Sequence, residues 1–142
     1  MVITSTVELL KKETNEFFMR HWDENIIGSK PPLWHEISVP FDGSVPNYDK
    51  AGCYALVDGD SVIYIGIGVS EGFGPYMEHG ISRRLLNHVI KGKEHHTARE
   101  KWLNISRILT IGFNKQYKYM ALSLEDYLIW KLKPIGNQKQ KR

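Results

Sequence analysis

Residues 51–66 form the segment that most restricts the possible folds of this chain. The first part reads AGCYALV (51–57), the middle reads DGD (58–60) and the last part reads SVIYIG (61–66). Apolar and β-branched runs on either side of an Asp-Gly pair are typical of a β-hairpin. The hairpin places Tyr54 and Tyr64 on neighbouring strands, and their hydroxyls can converge only if both rings fall on the same face.

Helical and strand patterns alternate along the rest of the chain. Because the hairpin strands are antiparallel, an all-parallel wound sheet is excluded. We predict an α/β fold in which a small three-stranded, mainly antiparallel sheet is flanked by helices. The other predicted elements are a helix capped by Ser5 or Thr6 and ending near His21, a strand at 33–39, a loop at 67–80, a helix at 81–91, a short helix at 97–103, a strand at 105–113 and a helix at 117–133 that stops at Pro134.

Length and composition favour one compact domain. With 142 residues, 42% of them hydrophobic, the chain can bury one core but is too short for two ordinary domains. We expect residues 1–50 to be an extension packed on a core domain at 51–142. The single cysteine, Cys53, allows neither a disulfide framework nor a Cys-rich zinc site, and Lys11 and Lys12 interrupt any apolar N-terminal run. A soluble, cytoplasmic protein without membrane contact is therefore expected.

Four chemically active side chains follow the hairpin in a recognisable order. The tripeptides Gly52-Cys53-Tyr54 and Tyr64-Ile65-Gly66 are followed by Arg84, His88, Glu125 and Asn137. From Gly52 to Asn137 this arrangement resembles the GIY-YIG nuclease family. The resemblance implies a metal-dependent endonuclease that hydrolyses phosphodiester bonds in DNA, with Mg²⁺ as the cofactor and Mn²⁺ as an ion that can substitute for it.

The residue types and their positions suggest a chemical role for each side chain. Arg84 and His88 are four residues apart, share one side of the predicted helix and could hold one phosphate. Glu125 lies in a strongly apolar helix, where a carboxylate is costly unless a cation or hydrogen bonds receive it, so we expect it to bind the metal ion. The resemblance implies that Tyr54 orients or deprotonates the nucleophile with support from Tyr64, and that Asn137 holds backbone near the site together.

Candidate contacts to nucleic acid extend beyond these six residues. The net charge of +3 is too small to argue for a polyanionic partner by itself, but basic residues crowd the C-terminus and could neutralise phosphates. We expect DNA to be the partner, and homodimerisation is left open. The candidate contact residues are Gly66, His96, Lys139, Lys141 and Arg142.

Two other functions remain open at this point. Some members of the GIY-YIG family carry a lysine just after the second tripeptide, where this chain has Ile67 and Gly68. The chain could therefore be a catalytically inactive nucleic-acid-binding module of the same fold. A protein-interaction domain is the third alternative, for which Trp34 and Trp102 on a surface patch would argue.

Overall fold

The computed structural model describes residues 5–70 and 79–138, which form an α/β structure with two antiparallel sheets. The larger sheet has the strand order β1-β7-β3-β4 and the smaller one has the order β2-β6-β5. In chain order the elements are α1 (Val7–His21), α2 (Glu24–Ile27), β1 (His35–Ser38), β2 (Phe41–Asp42), β3 (Ala51–Asp58), β4 (Ser61–Gly68), α3 (Gly80–His88), β5 (Ile90–Lys91), β6 (His95–Ala98), β7 (Arg107–Phe113) and α4 (Tyr119–Leu132).

The predicted N-terminal helix is confirmed as α1. The Thr6 hydroxyl accepts a hydrogen bond from the Leu9 backbone N–H at 3.1 Å and caps the first turn. Phe17 and Phe18 are buried on the side that faces the larger sheet and α4. Among the described residues, no helix is both long and apolar enough to cross a membrane.

The predicted hairpin is confirmed as β3 and β4, and helices cover both faces of the sheet. Cys53, Ala55 and Val57 point into a core shared with α1 and α4. Tyr54 and Leu56 point into a second core shared with α3. A strand buried on both faces reads as a continuous apolar run, which explains the composition of residues 51–57.

The larger sheet has four strands where three were predicted. The additional strand is β1, which pairs antiparallel with β7 from His35 opposite Thr110 to Ser38 opposite Arg107. Residues 5–50 also supply β2 of the smaller sheet and the whole of α1. The N-terminal segment therefore contributes strands to both sheets, in addition to packing against the core.

The prediction of a short helix at 97–103 is wrong in its first half. Residues 95–98 form β6, which pairs with β2 and β5, and a short 3₁₀ helix follows at Glu100–Trp102. His96 and Ala98 are buried while His95 is exposed, so the segment has the two-residue period of a strand. The pairing partners β2 and β5 are only two residues long, which is too short to produce a recognisable sequence pattern.

The tryptophans proposed for an interaction surface do not form one. Trp102 is buried and donates its indole N–H to the His88 carbonyl at 3.1 Å. Trp34 is partly buried and donates to the Thr14 hydroxyl at 2.8 Å. Both rings pack toward the interior, so among the described residues these two tryptophans do not form the surface patch that would favour an interaction domain.

Asn137 fastens the chain after α4 to the outer edge of β4. Its Oδ1 accepts from the Ile65 N–H at 2.9 Å, and its Nδ2 donates to the Ile65 carbonyl at 2.9 Å. The side-chain amide thus occupies the place that a further strand would take and satisfies both edge groups of a buried residue. This is the backbone-holding role expected for Asn137.

Replacing the Asn137 amide with a carboxylate tests this role. Asn137→Asp loses the donor to the Ile65 carbonyl and places negative charge against it, so we expect the free energy of unfolding to fall by about 2–4 kcal/mol. Gln138→Glu is the matched control, because the exposed Gln138 amide also donates to backbone carbonyls; it should cost about 0–1 kcal/mol. Urea denaturation measures both, and equal effects would contradict the role given to Asn137.

Candidate active site

A cleft of about 520 Å³ lies between α3 and the end of β4. The lining of the cleft contains polar and charged side chains of the kinds that take part in catalysis. They include Tyr64, Arg83, Arg84, Asn87, His88 and Glu125.

A β-bulge in β4 puts the two tyrosines on one face of the sheet. Val57 pairs with Val62, but its neighbour Leu56 pairs with Tyr64, so Ile63 is the extra residue. With continuous pairing Tyr64 would lie opposite Ala55 and would point toward α4. Because one additional residue reverses the alternation, Tyr64 instead shares the α3 face with Tyr54, and the ring centroids are 6.1 Å apart.

Tyr54 lies beneath the cleft and Tyr64 opens onto it. Tyr54 is only 1% exposed and is not among the described residues that line the cleft, whereas Tyr64 is. The Tyr54 ring covers Gly66 so closely that a Cβ at that position would collide with it. Gly66 is therefore required for the packing of Tyr54, and it does not line the cleft as a nucleic-acid contact would.

The position of α3 depends on a contact between two glycines. A Cβ on Gly68, at the end of β4, would collide with the Gly80 backbone, and a Cβ on Gly80 would collide with Gly68. Close approach of the two backbones brings the first turn of α3 against the strand end. The next turns then carry Arg84 and His88 into the cleft lining.

Arg84 connects both tyrosines with His88. Its Nη1 lies 3.0 Å from the His88 Nε2, and its guanidinium interacts electrostatically with the phenol groups of Tyr54 and Tyr64. Partial burial lowers the pKa of Arg84, but the two phenols outweigh that effect and the net pKa is raised. Arg84 is therefore a permanent cation held by three neighbouring groups.

His88 is held in its neutral form. A guanidinium can only donate, so Nε2 must be the acceptor and the neutral ring carries its proton on Nδ1. Desolvation lowers the pKa of His88, and the positive charges of Arg84, Arg99 and Lys101 lower it further. The cleft thus contains a neutral imidazole whose one basic nitrogen, Nε2, accepts the hydrogen bond from Arg84.

Burial also fixes the protonation state of Tyr54. It raises the pKa of Tyr54 from the usual 10 to about 12; Tyr64 and Glu125 add to the rise, and the hydrogen bond from Arg84 opposes it. A phenol with this pKa keeps its proton at neutral pH. Of the two roles expected for Tyr54, orientation is favoured over deprotonation of a nucleophile.

Glu125 reaches the cleft from the other side of the sheet. It belongs to α4, whose Leu124 and Leu128 pack on the face opposite Tyr54. Its side chain nevertheless lines the cleft beside Ile67 and Gly68, at the open edge of β4, and its charge acts on Tyr54. Glu125 is 5% exposed, so its carboxylate is a largely buried group in the lining of this cleft.

The remaining predicted site residues lie elsewhere. Asn137 binds the backbone of β4 and does not line the cleft. His96 is buried in the smaller sheet, where its ring packs on Phe41 at 5.0 Å, so a direct contact with nucleic acid is not supported. Lys139, Lys141 and Arg142 lie outside the described residues.

Sequence reasoning did not select two of the polar residues on α3 that line the cleft. Arg83 and Asn87 form a second pair with i, i+4 spacing beside Arg84 and His88, and both line the cleft. The spacing was visible in the sequence. The position of Arg83 at the flank of the apolar stripe made Arg84 the better candidate, and only the placement of α3 against β4 turns that flank toward the cleft.

The described residues contain no cluster of three or more His, Cys, Asp or Glu side chains arranged to hold a metal ion. Comparisons with family models, with curated proteins and with solved structures each returned no match to this chain.

The pKa of Tyr54 predicts a dependence of stability on alkaline pH. The native phenol keeps its proton up to about pH 12, whereas the unfolded one loses it near 10. Between these values the native state binds more protons, so the free energy of unfolding should fall as the pH rises. Between pH 9.5 and 11.5, Tyr54→Phe should remove about 1.5–2 kcal/mol of that fall. Urea denaturation at pH 9.5 and 11.5 measures it, and identical slopes for the two proteins would contradict the assignment.

The contact between Arg84 and His88 predicts the titration of the imidazole. In NMR spectra the His88 ring should titrate below the usual 6.5, because the neighbouring positive charges oppose protonation. Arg84→Gln should raise the pKa toward 6.5. A His88 pKa at or above 6.5 in the unmodified protein would contradict the arrangement.

Proposed function

We propose that this protein is a metal-dependent endonuclease that hydrolyses phosphodiester bonds in DNA, with a GIY-YIG-like active site. The observation that carries the proposal is the shared cleft, in which a fixed guanidinium, a neutral imidazole, a phenol and a buried carboxylate meet. Each of these groups suits one requirement of phosphoryl transfer: charge stabilisation, proton transfer, orientation of a nucleophile and metal binding.

Arg84 is assigned to the scissile phosphate. Its guanidinium can offer planar donors to non-bridging oxygens while the two tyrosines hold its orientation. Because these partners are in place before substrate binds, little side-chain ordering remains to be done. Tyr54 is a positioning residue in this scheme, since it acts on the substrate through Arg84.

Tyr64 and His88 are assigned to the attacking water. Both line the cleft, Tyr64 with a hydroxyl that can orient a water and His88 with an imidazole that can take its proton. The positive charge of Arg84 keeps His88 neutral, and Nε2 takes the proton of the water once the Arg84 hydrogen bond to it shifts to the phosphate. This exchanges the roles expected from the resemblance, because Tyr64 rather than Tyr54 is the tyrosine at the cleft.

Glu125 is the residue that would hold the metal ion. Mg²⁺ usually retains several waters and is bound by one or two carboxylates together with substrate phosphate oxygens, which fits a lining with a single buried glutamate among the described residues. The ion would stabilise the charge that develops on the leaving 3′ oxygen. Mn²⁺ accepts the same oxygen ligands and can take its place.

Glu125 and its neighbour Asp126 offer a matched test. Glu125→Gln should lower cleavage of plasmid or branched DNA by at least about 10³-fold, while DNA affinity without metal stays within a few-fold. Asp126→Asn makes the same chemical change at an exposed position of α4 and should leave cleavage within about threefold. Equal losses in both variants would remove Glu125 from the site.

The binding module is the alternative that the same assay decides. Unmodified protein that binds DNA but cleaves no plasmid, branched or single-stranded substrate with Mg²⁺ or Mn²⁺ would show that the fold has been kept without the chemistry.

A further inference from the structure

Arg83 and Asn87 form a second polar pair in the cleft, to which the proposed reaction gives no task. They lie on α3 with the same i, i+4 spacing as Arg84 and His88, and all four side chains line the cleft. The two pairs are therefore parallel rows, displaced from each other by one residue around the helix.

The geometry of a helix sets the distance between the rows. For a helix of about 10–12 Å diameter, side-chain ends one residue apart around the axis are separated by on the order of 8 Å. That is the scale of one nucleotide step along a strand. If the Arg84 row holds the scissile phosphate, the Arg83 row is placed to meet the neighbouring one.

A second concavity adjoins the cleft at Arg83 and Asn87. It has a volume of about 250 Å³ and is lined by these two residues together with His79 and Leu86. Arg83 and Asn87 thus form a ridge that borders the cleft on one side and this concavity on the other. Leu86 is 38% exposed there and offers an apolar surface of the kind a sugar or base can cover.

We propose, on the basis of the proposed nuclease function, that Arg83 and Asn87 bind the phosphate that flanks the scissile one as the strand passes from the cleft toward the second concavity. Arg83 supplies the charge and Asn87 a neutral amide donor. The protein would then act on internal phosphodiesters of a polynucleotide chain and would bind a substrate lacking the flanking phosphate poorly.

Variants of the two residues distinguish binding of the flanking phosphate from a role in catalysis and from a nonspecific effect of positive charge. Arg83→Ala should raise KM for an oligonucleotide duplex about tenfold with kcat within threefold, and it should reduce the salt slope of binding by about 0.7–0.9. Arg83→Lys keeps the charge and should keep the slope. Asn87→Ala should weaken binding a few-fold at an unchanged slope, because it removes no charge.

Lys12→Ala is the matched control. Lys12 is exposed on α1, which packs on the face of the sheet opposite α3, and its loss removes one positive charge far from the cleft. Affinity measured by fluorescence anisotropy at several salt concentrations without metal, together with steady-state cleavage, gives all the readouts. Circular dichroism at the assay temperature checks that each variant is folded.

The outcomes distinguish this inference from the proposed function. Arg83→Ala behaving like Lys12→Ala, or lowering kcat at an unchanged KM, overturns the flanking-phosphate role while the nuclease proposal stands. Unmodified protein that binds but does not cleave overturns the nuclease proposal, and the salt slopes still decide the role of Arg83. Unmodified protein that binds no nucleic acid overturns both.

Discussion

The arrangement of the cleft depends on one additional residue in β4. The bulge at Ile63 lets both Ile63 and Tyr64 point toward α3 and returns Ile65 to the opposite core. Without it, the two-residue period of the strand would place Tyr64 among the apolar side chains under α4, away from Tyr54. The pairing of the two phenols, and the effect of Tyr64 on Arg84, require Tyr64 on the α3 face.

The cationic and anionic groups of the cleft come from opposite faces of the central sheet and meet at its edge. Arg84 and His88 come from the helix on one face, and Glu125 comes from the helix on the other. A buried carboxylate is costly, and its position at the edge of β4 gives it access to the cleft without exposing it elsewhere. Asn137 covers the same edge at Ile65, so that a strand with one side open remains fully hydrogen-bonded there.

Burial and neighbouring charges set the protonation states in the cleft. Desolvation and the positive charges of Arg84, Arg99 and Lys101 keep the His88 imidazole neutral, and burial keeps the proton on Tyr54. These two effects assign different tasks to groups that sequence analysis could only place near one another. They also explain why the buried tyrosine is a poor proton acceptor although the Arg84 charge lowers its pKa.

The sequence by itself determined the elements that carry a long, regular pattern: the capped helix α1, the hairpin of β3 and β4, the strand β7 and the helix α4. It also indicated that Arg84 and His88 share a helix face and that Glu125 is a carboxylate in an apolar setting. The strand at 33–39 was predicted from its alternation, but only the tertiary structure decided that it pairs with β7 and that residues 95–98 form a strand, because the composition of a short segment does not encode its distant pairing partner. It likewise decided that Tyr64 rather than Tyr54 opens onto the cleft and that Arg83 and Asn87 line it. A one-residue bulge and the contact between Gly68 and Gly80 fix those positions, and both are properties of how strands and helices meet in space rather than of any local pattern.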